Sequence, residues 1–176
     1  MKKILLPAII FLLLTACGSP SPEPSDVPGS NVPTETAPAG PTQAEGYAFT
    51  VRGVTVSMGQ PAGPYIESLG EPQNLFEAPS CAFEGIDRIY TYPGFQLYTF
   101  PKDGADYVLS VILTDDSLAT DKGIYLGRTL ADVTAAYGGG YAQNQGEYTY
   151  TLGSSSLSFL IEDGEVAAIA WRYLAG

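Results

Sequence analysis

From Tyr47 onward the chain switches between two hydrophobic periods. Tyr47-Ala48-Phe49-Thr50-Val51 and Val54-Thr55-Val56-Ser57-Met58 place apolar residues at every second position, the period of a half-buried strand. Tyr65, Ile66 and Leu69 then recur at helical spacing, and Leu130, Val133, Ala136 and Tyr137 do so again later. Each helical stretch lies between two glycines eleven positions apart, Gly59 and Gly70 in one case and Gly127 and Gly138 in the other, with the two copies offset by 68. The spacing predicts two short helices, each between a glycine entry turn and a glycine C-cap, with Gly138 placed to end the second in the left-handed αL conformation. Pro61 and Pro64 place the start of the first helix near Pro64, because proline fits the first turn and not the interior. Thr129 is the N-cap of the second, with Asp132 at the third helical position in a variant of the capping box.

Three strand signals follow each helix. After the first come Ile89–Tyr92, Phe95–Phe100 and Tyr107–Leu113, and after the second Tyr148–Leu152, Leu157–Ile161 and Val166–Tyr173. Pro93-Gly94 and Leu152-Gly153 mark one pair of turns, and Asp103-Gly104 and Asp163-Gly164 the other. The expected fold is α+β: tandem helix-β-β-β repeats, about 54–113 and about 124–173, forming one antiparallel sheet with two short helices on one face. Alternation puts Tyr148, Tyr150, Leu157, Phe159, Ile169 and Trp171 on the helix-covered face, with Tyr90, Tyr92, Tyr98, Phe100, Val111 and Leu113 as their first-copy equivalents. Thr91, Gln96, Ser110, Thr149, Thr151, Ser156, Ser158 and Arg172 fall on the open face. The tyrosines read as core residues with their hydroxyls at the rim.

The copies differ in one place. Gly70 to Tyr90 spans twenty positions, whereas Gly138 to Tyr148 spans ten. The extra residues lie within 71–85, read as a long loop carrying Phe76 and Phe83. Long loops in compact domains are often functional. These two phenylalanines are therefore the candidate partner-binding residues, either as anchors for a partner or as a lid over the core.

Upstream of Gly46 the pattern disappears. Residues 18–45 are rich in Pro, Ser, Thr, Gly and Ala and contain no aromatic residue. Such a segment cannot bury enough surface to fold. Its prolines favour an extended tether of at most about 90 Å. The folded domain is expected over 46–176, enough for a single core. The chain opens with Met1-Lys2-Lys3, an apolar run from Ile4 to Leu14, and Leu14-Thr15-Ala16-Cys17. A positive n-region before a short apolar stretch is a secretory signal, over residues 1–16, and is too short to span a bilayer.

The net charge of −11, from 19 acidic and 8 basic side chains, argues against nucleic acid, which is held through Lys and Arg contacts to phosphate. It argues equally against the domain lying on anionic lipid. Catalysis finds little support. The sequence has no His, so Ser-His-Asp and Cys-His pairs are excluded, and Lys102 and Lys122 sit in turns as solvated charges. No CxxC or HExxH motif suggests zinc. Gly138-Gly139-Gly140 lacks the lysine and the strand-to-helix setting of a phosphate loop. Asp115, Asp116 and Asp121 could offer oxygens to Ca²⁺, but their spacing fits no EF-hand loop, and a solvated linker is the reading preferred. No metal or cofactor is expected. Cys81 is either a buried filler or an exposed thiol, with burial favoured.

The segment ending at Cys17 resembles the lipobox of bacterial lipoproteins. That resemblance implies diacylglycerol on the Cys17 thiol, cleavage before Cys17 and acylation of the new N-terminus. Two or three acyl chains anchor a protein stably to a membrane. Gly18 after Cys17 resembles the outer-membrane sorting pattern of cells that have such a membrane. The helix-β-β-β unit, duplicated and opened by glycines eleven apart, is similar to the β-lactamase inhibitory protein family and to the small SmpA/OmlA-type outer-membrane lipoproteins. The resemblance implies a noncatalytic protein-binding module, and no binding residue of those families carries over. Together these readings lead to an extracytoplasmic, lipid-anchored binding or scaffold protein with an envelope protein as partner. The alternatives are an inhibitor of a secreted or envelope enzyme and, less favoured, an enzyme acting on envelope material.

Overall fold

The computed structural model describes residues 46–174, so the secretory segment, Cys17 and the tether lie outside the described residues. The fold is α+β, an antiparallel sheet with two short helices. The chain begins with a hairpin of β1 (Ala48–Val51) and β2 (Val54–Ser57), followed by α1 (Gly63–Leu69). Then come β3 (Asn74–Pro79), β4 (Ile86–Tyr92), β5 (Phe95–Lys102) and β6 (Ala105–Leu113). The second half runs α2 (Leu130–Tyr137), β7 (Ala142–Asn144), β8 (Glu147–Leu152), β9 (Ser155–Glu162) and β10 (Glu165–Tyr173). Among the described residues β1 and β2 pair only with each other, and the other strands form one eight-stranded sheet in the order β3-β4-β5-β6-β10-β9-β8-β7. The expected three strands after each helix are therefore four. β3 and β7 lack the alternation that betrays a strand, because each is an edge with little of its surface buried. Within the region 71–85, read as a loop, the six residues Asn74–Pro79 are strand.

The turn chemistry acts as expected. Asp103-Gly104 and Asp163-Gly164 have positive φ at both positions, 51° and 77° in the first and 51° and 88° in the second, the requirement of a two-residue hairpin loop. α2 carries the capping box in full: the Asp132 amide donates to Thr129 Oγ1 at 3.2 Å, and the Thr129 amide to Asp132 Oδ2 at 3.0 Å. These bonds to Thr129 hold the Asp132 carboxyl below its usual range. The helices do not end in αL. Gly70 and Gly138 have φ of 80° and 83° with ψ of −162° and −172°, a region open essentially to glycine alone. Their amides close the last helical turns on Ile66 O and Thr134 O, at 3.0 and 2.8 Å.

Register assigns the faces. Tyr90, Leu97, Val111, Trp171, Leu157 and Tyr150 stand side by side across six strands, so they share one face. They belong to one core with Phe49, Val51 and Val56 of the hairpin, Leu69 of α1 and Val133 of α2. Phe49 packs 4.9 Å from Phe95 and 5.1 Å from Trp171, ring centre to ring centre. Tyr92 and Tyr150 are buried in this core, and their hydroxyls donate to the carbonyls of Gly70 and Gly138, at 3.3 and 2.7 Å. Both helices thus end over the same face.

Two first-half assignments are corrected. The core positions of β5 are Phe95 and Leu97, not Tyr98 and Phe100. Tyr98 pairs with Ile89 and Ser110 on the opposite face, its hydroxyl donating to Gln96 Oε1 at 2.9 Å. Phe100 is buried outside the main core, against Phe83, Tyr107 and Tyr173. The physical reason lies in the turns. Tyr92 is joined to Phe95 by the tight Pro93-Gly94 turn, whereas the corresponding turn after Tyr150 reaches Leu157 only through two further residue pairs. Counting from the wrong turn length by an odd offset swaps faces.

Candidate interaction surfaces

The face opposite the core carries no helix or hairpin among the described residues. Its centre is made of small side chains, Ser110, Ala170, Ser156 and Ser158, sunk between Tyr98, Ile112, Leu160 and Arg172. The residues assigned to this face from sequence lie there, but they are not uniformly exposed. Ser158 has 2 % exposure, because Arg172 of β10 reaches across it, donating to Ser158 Oγ and, at 2.8 Å, to Glu147 Oε1 of β8. The Ser158 hydroxyl first, and Arg172 second, hold the Glu147 carboxyl below its usual range. A cavity of about 190 Å³ lies among Glu147, Ser158, Leu160, Ala168, Ala170 and Arg172. Ser158→Ala is therefore not silent. It is expected to cost about 1–2 kcal/mol in chemical denaturation, the worth of a hydrogen bond to a charged group in a partly screened place. An unchanged midpoint would show that Arg172 is held by Glu147 and water alone.

The two candidate phenylalanines are separated by the structure. Phe76 is on the edge strand β3, 55 % exposed, with Ile89 as its register partner. Phe83 lies in the β3–β4 connection, 39 % exposed, with its ring 4.7 Å from that of Phe100. The connection is closed on itself, Ser80 N donating to Gly85 O at 3.0 Å and Ser80 Oγ accepting from the amides of Ala82 and Phe83. Cys81 lies in it as well and is exposed, against the preference for burial.

Sequence reasoning missed a charge network beside this edge. Arg88 of β4 donates to Glu77 of β3 at 2.7 Å, and through one nitrogen to both carboxylate oxygens of Asp106 of β6, at 2.8 and 2.6 Å. Only the β3–β4–β5–β6 order brings these three together, and they are too far apart in the chain to be read as a group. The loop 114–123 is also more ordered than a solvated linker. Asp121 accepts from the Tyr137 hydroxyl at 2.6 Å, and Lys122 donates to Ala136 O at the end of α2, at 3.1 Å. Thr120 and Ile124 are buried. Asp115 accepts from the amide and hydroxyl of Ser117. Among the described residues no three His, Cys, Asp or Glu side chains gather as metal ligands. No helix there is long and apolar enough to cross a membrane.

No protein-family model matches the chain, and neither a curated protein nor a solved structure does.

Proposed function

We propose that this protein is a lipoprotein, held at an extracytoplasmic membrane surface through lipid on Cys17, whose folded domain binds another envelope protein without catalysing a reaction. The observation that carries the address is Leu14-Thr15-Ala16-Cys17 at the end of a charged-then-apolar leader. Binding is supported by the arrangement of surfaces: a broad sheet face with no covering element among the described residues, and an edge strand that exposes Leu75 and Phe76.

The domain itself is read as a tandem duplication. Its support is a set of bonds that recur at fixed offsets. Gly59 N donates to Val108 O at 2.8 Å and Gly127 N to Val166 O at 2.9 Å; Val108 N donates to Gln60 O at 2.9 Å and Val166 N to Arg128 O at 2.7 Å. The tyrosine-to-glycine bonds of Tyr92 and Tyr150 follow the same offsets. A bulge falls at Leu109 in one half and at Ala167 in the other. This arrangement favours a protein-binding module similar in plan to the β-lactamase inhibitory protein and SmpA/OmlA-type families. Inhibition of a secreted enzyme is one form such binding could take.

Replacing Cys17 by serine is expected to abolish metabolic labelling with a fatty acid and to release the protein from membranes. Equal labelling of parent and variant would remove the anchor. Crosslinking in intact cells, followed by purification of the tethered protein, tests the binding reading. Recovery of the protein uncrosslinked under every chemistry would sink it.

A further inference from the structure

We propose that the outer edge of β3 is a strand-addition site for an extended, basic segment of the partner, with two basic residues followed by two apolar ones. The inference rests on the binding reading above and gives the partner a chemistry.

The two edges of the sheet are built differently. β7 is three residues long and polar apart from Ala142. β3 is six residues long and pairs, among the described residues, with β4 alone. Natural edge strands are usually blunted by charge, brevity or a bulge, because their free amides and carbonyls pair readily with another chain. β3 carries such devices only in its second half, Glu77 and Pro79, while its first half places Leu75 on one face and Phe76 on the other, 45 % and 55 % exposed. Leu75 extends the core row through its register partner Tyr90, and Phe76 extends the opposite face through Ile89. Tyr90 also borders a groove of about 600 Å³ against Pro61, Pro64 and Ile66 of the α1 region. A strand laid along β3 would bury an apolar side chain against each of Leu75 and Phe76, about 4.8 Å away.

The next two positions ask for positive charge. Glu77 shares a face with Leu75, and Ala78 shares one with Phe76. Beyond Ala78 stands its register partner Asp87, whose Oδ1 is buried with no hydrogen-bond donor. Alanine leaves room for a long basic side chain on an added strand to reach over it towards that carboxylate. Glu71 precedes the strand in sequence and Glu84 follows it. Arg88, the basic residue within the strand pair, is already engaged by Glu77 and Asp106. The edge therefore reads apolar, apolar, acidic, acidic from Leu75 onward. An antiparallel partner, the better-bonded orientation, must read basic, basic, apolar, apolar. A second copy does not fit, since antiparallel pairing of two β3 edges over these positions sets Glu77 of each against Phe76 of the other and supplies no free cation.

The test uses the full-length protein and two labelled synthetic peptides, Thr-Arg-Lys-Val-Ile-Thr and Thr-Glu-Glu-Val-Ile-Thr, read by fluorescence anisotropy. The basic peptide is expected to bind, more weakly as salt rises, and the acidic one not to bind. Phe76→Ala, at an exposed position that leaves folding intact, is expected to weaken binding at least about tenfold. Asp87→Asn should weaken the basic peptide and leave a peptide with neutral residues in place of Arg-Lys unaffected. Equal binding of both charged peptides, or insensitivity to Phe76→Ala, would overturn the proposal. So would concentration-dependent dimers in sedimentation that Phe76→Ala abolishes, which would give the edge to a second copy. If crosslinked partners are captured through the Ser158–Arg172 face while the basic peptide does not bind, the edge proposal falls and the binding reading stands. If the peptide binds but no partner crosslinks in cells, the edge proposal stands and the envelope reading falls.

Discussion

Phe159→Ala is expected to remove about 3–5 kcal/mol of folding stability, the usual cost of deleting a fully buried aromatic ring. Phe159 is completely buried, between Tyr148 and Ile169 of the neighbouring strands. The rings of Tyr137 on α2 and Tyr150 on β8 lie 5.4 and 6.1 Å from it. Its removal opens a cavity bounded by a helix and three strands, none of which can collapse inward without breaking register. For a domain whose whole stability is about 5–15 kcal/mol, the loss approaches unfolding. Thr151→Ala, at an exposed position on the opposite face, is expected to change stability by no more than about 0.5 kcal/mol. Urea denaturation of the two variants decides it. A comparable loss for Thr151→Ala would mean that the face opposite the core is covered rather than open.

The second large effect is alkaline weakening. Tyr47, Tyr90, Tyr92, Tyr137 and Tyr150 all have hydroxyls whose pKa is raised in the fold, with burial the first cause in each. Tyr137 is raised furthest, first because its hydroxyl is the most deeply buried of the five and second because that hydroxyl donates to the Asp121 carboxylate at 2.6 Å. Below pH about 10, the ordinary tyrosine value, both folded and unfolded chains keep these protons and the contribution is fully present. Above it the unfolded chain loses protons that the folded chain retains, so stability falls as pH rises. For Tyr137 the slope is at most about 1.4 kcal/mol per pH unit, reduced by solvent screening at its part-buried ring. Denaturation midpoints should drop steeply between pH about 10 and 11, with the share of tyrosinate absorbance that belongs to these five side chains appearing at unfolding. Tyr137→Phe should flatten that drop. An unchanged slope would show that the phenol ionises in the folded state.

Local chemistry could be read without the fold. Thr129 and Asp132 form their capping box within one turn, Asp103-Gly104 and Asp163-Gly164 make their turns from adjacent residues, and Gly70 and Gly138 end their helices by their own conformational freedom. Period-two alternation was enough to bury Tyr150, Leu157, Phe159, Ile169 and Trp171, since a strand with one wet face must alternate. What pairing decides was out of reach. β3 and β7 show no alternation because an edge buries too little to require it, and the register of β5 depends on turn lengths that composition does not reveal. The Arg172–Ser158–Glu147 contact, the Arg88–Glu77–Asp106 network and the unpartnered Asp87 oxygen are made across strands far apart in sequence. The chain order therefore determined the helices, turns and most of the core through interactions a few residues long. Which side chains meet on the two surfaces offered to a partner was decided by the lateral order of the strands, because a sheet brings together residues that the sequence keeps apart.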